Sequence, residues 1–247
     1  MRILISLIAL LLFFVPADAF GKGGAVSIAA ASDLSYALKE IAVGYEKETG
    51  VKPVISFGST GLLARQIAEG APFDIFLAAD SRYMEKLRDI ESVDKDSIEV
   101  YARGRIVVAV KDGAKVPSIE DLAGPGIKKI AIANPAHAPY GRAAEEALRS
   151  AGIWEAVKPK LVFGENIRQA LQFVESGNAD AGMIALSIAG TPGIRFEPID
   201  EALHKPISQA LGIVSASPNK EEALKFIAYL RGSKGSALLK KYGFALP

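Results

Sequence analysis

Hydroxyl-bearing residues stand at several points where an apolar run of the sequence gives way to a helical pattern. Ser32 follows the apolar run at residues 25–31, and Ser59 and Thr60 stand between two glycines before the next helical pattern. Tyr140 lies in the first turn of a later one. Amide groups at a helix start have no partner inside the helix, and the helix dipole makes that end positive. Such positions favour a small anion without a lysine or arginine in contact with it.

A further junction of this kind, at Ile167, carries no hydroxyl. The side chain of Ile167 is apolar, and the helical spacing assigns it to the core. The alternative for Ser32 is a plain helix cap, and the alternative for the other positions is a turn or a packing role. We predict that the chain directs several helix starts towards one small anion.

Asp33 carries a charge that does not suit such a site. An ionised carboxylate would repel a dianion by on the order of several kcal/mol in a partly dry cleft. We therefore expect Asp33 to cap its own helix. The alternative is that Asp33 reaches the ligand, which requires that it be protonated or neutralised by donors such as Tyr140, and which makes the affinity depend on pH.

Strand and helix patterns alternate in an order that predicts parallel sheets with helices on both faces. The extended stretch at 98–110 contains Gly104 and is longer than a typical strand, so we interpret it as two strands joined at a crossover. A second extended segment, at 207–214, is the candidate for the return crossing. We predict an α/β fold of two doubly wound lobes, hinged as a clamshell, with the ligand in the cleft at the carboxyl ends of the strands. The predicted limits are residues 20–104 plus 209–247 for lobe 1 and residues 105–208 for lobe 2.

The composition excludes several classes of function. The chain has 247 residues, and its 29 Lys and Arg nearly balance its 28 Asp and Glu, so nothing indicates a nucleic-acid surface. The absence of cysteine excludes disulfides, zinc–thiolate sites, iron–sulfur clusters and a cysteine nucleophile. We find no G-x-S-x-G or H-E-x-x-H motif, and two histidines are too few to favour a catalytic triad. We therefore predict a binding protein that is not an enzyme.

The first residues have the pattern of a secretory signal peptide. Arg2 precedes an almost wholly apolar stretch at 3–15, and Ala17-Asp18-Ala19 is an A-x-A cleavage site. The apolar stretch is short for a membrane anchor. We predict cleavage after Ala19 and a soluble protein in the periplasm.

Six segments of the chain together resemble the periplasmic molybdate-binding proteins of ABC importers. They occur in the same order and at matching spacing from about residue 26 to residue 244. The segments are AAASDL at 29–34, SFGSTGLLARQI at 56–67, GAPFDIFLAAD at 70–80, NPAHAPYG at 134–141, GENIRQAL at 164–171 and KYGF at 241–244.

The resemblance implies the type II periplasmic-binding-protein fold and a tetrahedral dianion held by hydroxyls and backbone N–H groups. Ser32 and Thr60 match hydroxyl ligands, and Ser59 stands beside Thr60. Tyr140 matches a cleft contact, and Ile167 matches a residue that donates its backbone N–H. The candidate ligand set is therefore Ser32, Thr60, Tyr140, Ile167, Ser59 and Asp33. No protein atom is expected to coordinate the metal directly, because molybdenum is enclosed by its own oxygens.

One position departs from the family pattern. Some members have a ligand tyrosine at the position of Ala185, and Tyr140 is the candidate to replace that hydroxyl. The resemblance also implies that the ligand is molybdate or tungstate, that no cofactor is needed, and that a monomer delivers the ion to an inner-membrane permease with its ATPase. Sulfate, thiosulfate and phosphate are the alternatives, although a site with donors alone rejects a phosphate that carries a proton.

Five further side chains have less specific predictions. His137 and His204 lie in polar loops that contain proline, so we expect both at the surface. Arg65 and Arg168 follow the proposed ligand groups by one helical turn, where they support the loops or contact solvent. Ser81 is expected to cap the helix that follows it.

Overall fold

The computed structural model of the protein describes residues 25–247, so the signal peptide predicted at residues 1–19 lies outside the described residues. The described residues contain no helix that is both long and apolar enough to cross a membrane. Their strands form two five-stranded sheets.

The first sheet consists of β1 (Ser27–Ala31), β2 (Val54–Gly58), β3 (Ile75–Ala78), β4 (Glu99–Gly104) and β10 (Ile207–Ile213). Its spatial order is β2-β1-β3-β10-β4. β1 pairs in parallel with β2 and β3, whereas β10 pairs antiparallel with β3 and β4. The late strand β10 thus returns the chain to the sheet that the first residues begin.

The second sheet consists of β5 (Ile106–Lys111), β6 (Ile130–Ala133), β7 (Leu161–Gly164), β8 (Ala181–Ala185) and β9 (Ile194–Pro198). Its order is β7-β6-β8-β5-β9, with parallel pairs at β7-β6-β8 and antiparallel pairs on both sides of β5. The chain passes from one sheet to the other through Arg105 and returns through residues 199–206.

Helices cover the faces of the sheets. They are α1 (Ser35–Thr49), α2 (Thr60–Ala68), α3 (Ser81–Asp89), α4 (Pro139–Ser150), α5 (Trp154–Val157), α6 (Ile167–Glu175), α7 (Leu186–Ala189), α8 (Lys220–Arg231) and α9 (Ser233–Lys241). A 3₁₀ turn, Ser32–Leu34, joins β1 to α1. On β1, Ile28 and Ala30 face one apolar cluster and Ala29 faces another, because successive side chains of a strand point to opposite faces. Both faces of the first sheet are therefore buried.

The predicted α/β fold with two sheets is confirmed, and the stretch at 98–110 does divide into β4 and β5. The prediction for Ser81 is wrong, because the cap of α3 is Asp80, whose carboxylate accepts from the N–H of Arg82 at 2.9 Å. α5, α7 and β9 are not among the elements predicted from the sequence. The exact lobe limits stay a prediction.

Candidate functional site

All six candidate ligand residues line one small cavity between the two sheets, with a water-accessible volume of about 10 Å³. The cavity lies where strands end and helices begin. Its lining residues are Ala31, Ser32, Asp33, Gly58, Ser59, Thr60, Ala79, Ala138, Pro139, Tyr140 and Ile167. The structure thus brings the predicted residues together, and their contact with a ligand stays a prediction.

Four helix starts meet at this cavity: the 3₁₀ turn before α1, and the first residues of α2, α4 and α6. The 3₁₀ turn, α2 and α4 have no side-chain cap. At α6 the side chain of Asn166 accepts from the N–H groups of Arg168 and Gln169, at 3.0 and 3.1 Å. This cap does not use the N–H of Ile167, the first residue of α6. That N–H is therefore available to another acceptor.

The hydroxyl of Thr60 is oriented by the protein. Thr60 Oγ1 accepts a hydrogen bond from the N–H of Ala79 at 3.1 Å, and both residues line the cavity. Because the backbone donor occupies a lone pair of the oxygen, the hydroxyl proton remains free for another acceptor. Ser32 also lines the cavity and is only 4% exposed. Both hydroxyls are therefore candidate donors to an anion in the cavity.

The hydroxyl of Ser59 has a different role from that of Thr60. It donates to the carbonyl oxygen of His137 at 2.8 Å and lies 2.8 Å from Nδ1 of the same residue. The same carbonyl accepts from the N–H of Gly61 at 2.9 Å. His137 is half-buried and outside the cavity lining, and it joins the second lobe to the start of α2.

Asp33 does not cap its helix, so the favoured sequence interpretation is wrong. The 3₁₀ turn has no side-chain cap, and the carboxylate of Asp33 points into the protein. Its Oδ2 accepts from the Tyr140 hydroxyl at 2.9 Å and from the side-chain amide of Gln209. Burial raises the pKa of Asp33 from 3.8 to about 6, against the opposing effect of the hydrogen bonds from Gln209 and Tyr140.

Tyr140 and Gln209 complete a buried network that joins the lobes. Gln209 Oε1 accepts from the hydroxyl of Tyr101 at 3.2 Å, and Gln209 Nε2 lies 3.1 Å from the hydroxyl of Tyr140. Burial, and then the neighbouring carboxylate of Asp33, hold the pKa of Tyr140 well above its usual range. The hydroxyl of Tyr140 is therefore buried at the cavity and not in solvent, and its contact with a ligand stays a prediction.

Comparison with known proteins decides the family. A family model described as bacterial extracellular solute-binding protein matches residues 26–245. The molybdate-binding protein ModA of Azotobacter vinelandii is 39% identical over 229 residues, which cover 90% of each chain. ModA of Escherichia coli is 32% identical over 250 residues, 96% of this chain and 95% of its own. This chain belongs to the bacterial extracellular solute-binding proteins.

The solved structure of the periplasmic molybdate-binding protein of Azotobacter vinelandii matches with a TM-score of 0.85 and 31% identity, over 90% of this chain and 99% of its own. The resemblance to periplasmic molybdate-binding proteins and the two-lobed type II fold are therefore confirmed. Solute-binding proteins are transport components, so the prediction that the chain is not an enzyme is also confirmed.

The segment at the end of β8 supports the site of this solute-binding protein without lining the cavity. Ala185 is fully buried and is not among the described residues that line the cavity. Two residues later, the hydroxyl of Ser187 donates to the carbonyl oxygen of Asp33 at 2.8 Å. A hydroxyl from this segment thus holds the loop of Asp33 instead of lining the cavity.

At the rim of the cleft, Arg142 of the second lobe contacts two residues of the first. It forms a salt bridge with Asp80, and its Nη1 donates to the hydroxyl of Tyr83 at 3.1 Å. Burial opposes the ionised form of Asp80, but hydrogen bonds from Arg82 and the charge of Arg142 hold its pKa below the usual range. We call Asp80, Tyr83 and Arg142 the rim latch.

The remaining predicted side chains lie outside the cavity. His204 is buried at 9% exposure, with Nδ1 2.8 Å from the carbonyl oxygen of Lys205, so its predicted surface position is wrong. Arg65 is exposed and pairs with Glu69. Arg168 pairs with Glu175 and lies over the ring of Tyr36.

Proposed function

We propose that this protein is the solute-binding component of an ABC importer for molybdate, and that it also takes tungstate. The observation that carries the proposal is the convergence of four helix starts, together with the hydroxyls of Ser32 and Thr60, on one small cavity between the lobes. The names of the similar proteins from Azotobacter vinelandii and Escherichia coli support molybdate as the ligand. Ser32, Thr60, Tyr140 and Ile167 are the proposed ligand residues, with Ser59 and Asp33 at the edge of the site.

Neutral donors suit capture followed by release. None of the residues that line the cavity is a lysine or an arginine. Hydrogen bonds to a charged acceptor are stronger than neutral ones, so several such donors hold a dianion firmly. Release to a permease then requires the lobes to separate. It does not require the ligand to break an ion pair with a lysine or an arginine of the cavity.

A protonated oxyanion such as phosphate is the second candidate, because the cavity contains an acceptor. The sequence argument against phosphate assumed a site made of donors alone, whereas Asp33 lines this cavity with a carboxylate. An ionised Asp33 would accept the proton of a monohydrogen phosphate. A protonated Asp33 would favour a dianion that carries no proton.

The cellular context is part of the same proposal. A signal peptide at residues 1–19 would export the chain, and the similar protein from Azotobacter vinelandii is named as periplasmic. We propose a monomer in the periplasm that meets an inner-membrane permease and its ATPase, with no cofactor and no nucleic-acid partner.

Thermal unfolding with added oxyanions tests the proposed ligand. A ligand at a thousandfold its dissociation constant stabilises a folded protein by about 4 kcal/mol. For a chain of this size that predicts a rise in Tm of roughly 8–16 °C with molybdate and tungstate in phosphate-free buffer. Little rise with sulfate is expected. A phosphate response as large as that of molybdate would favour the second candidate, and no response to any of the four anions would contradict an oxyanion carrier.

Loss of the rim latch should speed ligand release. In Arg142→Met the bridge between the lobes is lost, while Asp80 keeps its hydrogen bonds from Arg82. We expect molybdate to dissociate about two- to tenfold faster, the range of a partly exposed ion pair. Stopped-flow mixing with a competing oxyanion measures this rate.

The control for the latch is Arg149→Met, which lies in the same helix. Arg149 pairs with Glu145 at 2.8 Å and stacks on Trp154, within one lobe. Its loss should leave the dissociation rate unchanged. Equal rates for all three proteins would show that the latch does not hold the lobes together.

A further inference from the structure

The cavity holds a negative charge in the place where an anion is proposed to bind. Asp33 is 1% exposed and lines the cavity. Its Oδ2 accepts from Tyr140 and Gln209, but its Oδ1 is buried and has no hydrogen-bond partner among the described residues. A buried, unpartnered carboxylate oxygen beside a dianion is costly.

No positively charged side chain of residues 25–247 pairs with Asp33. The titratable groups that face it are the phenols of Tyr101 from β4 and Tyr140 from α4, and its other neighbours are the neutral Gln209 of β10 and Ser187 of α7. The basic residue of α6, the helix packed against the 3₁₀ turn, is directed elsewhere: Arg168 pairs with Glu175 at 2.8 Å. Lys241 of α9 likewise pairs with Glu40 of α1.

The number of protons on Asp33 and Tyr140 decides which of them can donate to a ligand. A phenol has one proton, and Tyr140 donates it to Asp33. While Asp33 is ionised, Tyr140 therefore has no proton left for a ligand. If Asp33 gains a proton, its carboxyl group donates to the phenol oxygen or to the ligand, and the hydroxyl of Tyr140 turns to the ligand.

We propose that the Asp33–Tyr140 pair takes up one proton from solvent when the dianion binds, and that this proton makes Asp33 the residue that selects an unprotonated oxyanion. The free protein plus one proton plus the dianion gives the complex, so charge and atoms balance without a further reactant. In the complex the pair provides the ligand with one or two donors in place of an acceptor. A monohydrogen phosphate brings its own proton and needs the ionised form of Asp33 instead.

The geometry also fixes the direction of the pH dependence. The free protein has an Asp33 pKa of about 6, raised by burial, and a bound dianion raises it further because it repels the ionised form. Above about pH 6 the free protein loses the proton that the complex keeps. The affinity for molybdate should therefore fall by up to tenfold for each pH unit above that value. This inference rests on the proposed function.

Calorimetric titration with sodium molybdate measures the proton directly. Titration at about pH 7.5 in two buffers of different protonation enthalpy gives the number of protons taken up per anion. We expect a number close to one for the wild type and close to zero for Asp33→Asn, whose affinity should also vary little between about pH 6 and about pH 8.5. Asp89→Asn, which removes an exposed carboxylate of the same lobe, should behave as the wild type.

The outcomes separate the two proposals. Molybdate binding with no proton uptake and no pH dependence would overturn the role of Asp33 and leave the proposed function intact. Proton uptake that persists in Asp33→Asn would assign the proton to another group and also overturn it. Failure of the wild type to bind molybdate at any of these pH values would instead contradict the proposed function. If Asp33→Asn does not fold, a wild type that takes up no proton still overturns the proposal, and Asp33→Ser, which also removes the carboxylate, replaces Asp33→Asn in the test.

Discussion

The double variant Ser32→Ala, Thr60→Val should bind molybdate about 10²- to 10⁴-fold more weakly than the wild type. Each hydroxyl is proposed to donate to the dianion, and the loss of a hydrogen bond to a charged group costs about 1.5–3 kcal/mol. That is a factor of about 10 to 150 for each site, and the two factors multiply if the losses add. Calorimetric titration measures the dissociation constant.

Two controls separate loss of a donor from damage to the fold. Thr60→Ser keeps the hydroxyl that accepts from Ala79, so its affinity should stay near that of the wild type. Ser35→Ala removes a buried hydroxyl that has no described partner and lies outside the cavity lining, three residues after Ser32. Its affinity should be unchanged. A double variant that binds within threefold of the wild type, on the order of 0.6 kcal/mol, would remove both hydroxyls from the ligand set.

Much of this fold follows from local pattern. Continuous apolar runs such as residues 75–79 indicate strands buried on both faces, and Pro139 marks the first residue of α4. β9 has no continuous apolar run, because it carries Arg195 and Glu197. Its residues do alternate between apolar and charged from Ile194 to Glu197, so a short strand signal was present and was missed. α5 and α7 have four residues each, too few to show a helical period.

The candidate ligand residues could be located from sequence because each follows a strand at the edge where parallel strands end together. The hydrogen-bond network of Asp33, Tyr140 and Gln209 could not be located from the sequence. Gln209 is a fully buried polar residue inside the apolar strand β10, and that mismatch was the one available signal. The partners of Asp33 are 107 and 176 residues away, and contacts at such separations are set by tertiary packing.

His137 shows the same limit from the other lobe. Its loop is polar and contains proline, which favours the surface for a lobe considered alone. The contact with Ser59 exists because two lobes meet, and no local pattern describes that meeting. Sequence therefore predicts the contents of each half of the cleft better than the contacts that close it.

Gly61→Ala tests the contact between α2 and His137 of the other lobe. It should weaken molybdate binding about 5- to 150-fold without lowering the stability of the free protein. A Cβ on Gly61 would lie 2.7 Å from the carbonyl oxygen of His137 and 3.0 Å from its Cβ, both in the opposite lobe. It would also lie 2.8 Å from the hydroxyl of Tyr83, the end of a side chain that can move aside. Overpacking of this kind costs about 1–3 kcal/mol.

The cost should fall on the closed form alone. Alanine is the better helix former by up to about 1 kcal/mol, so α2 itself should not weaken, and in an open clamshell the carbonyl of His137 is no longer in the way. The Tm of the free variant should equal or exceed that of the wild type, while its stabilisation by molybdate shrinks. Gly126→Ala is the matched control, since a Cβ there meets nothing within 4 Å. If Gly61→Ala bound molybdate as tightly as Gly126→Ala, the contact between α2 and His137 would not be part of the ligand-bound state, and the ion would be held by a more open cleft.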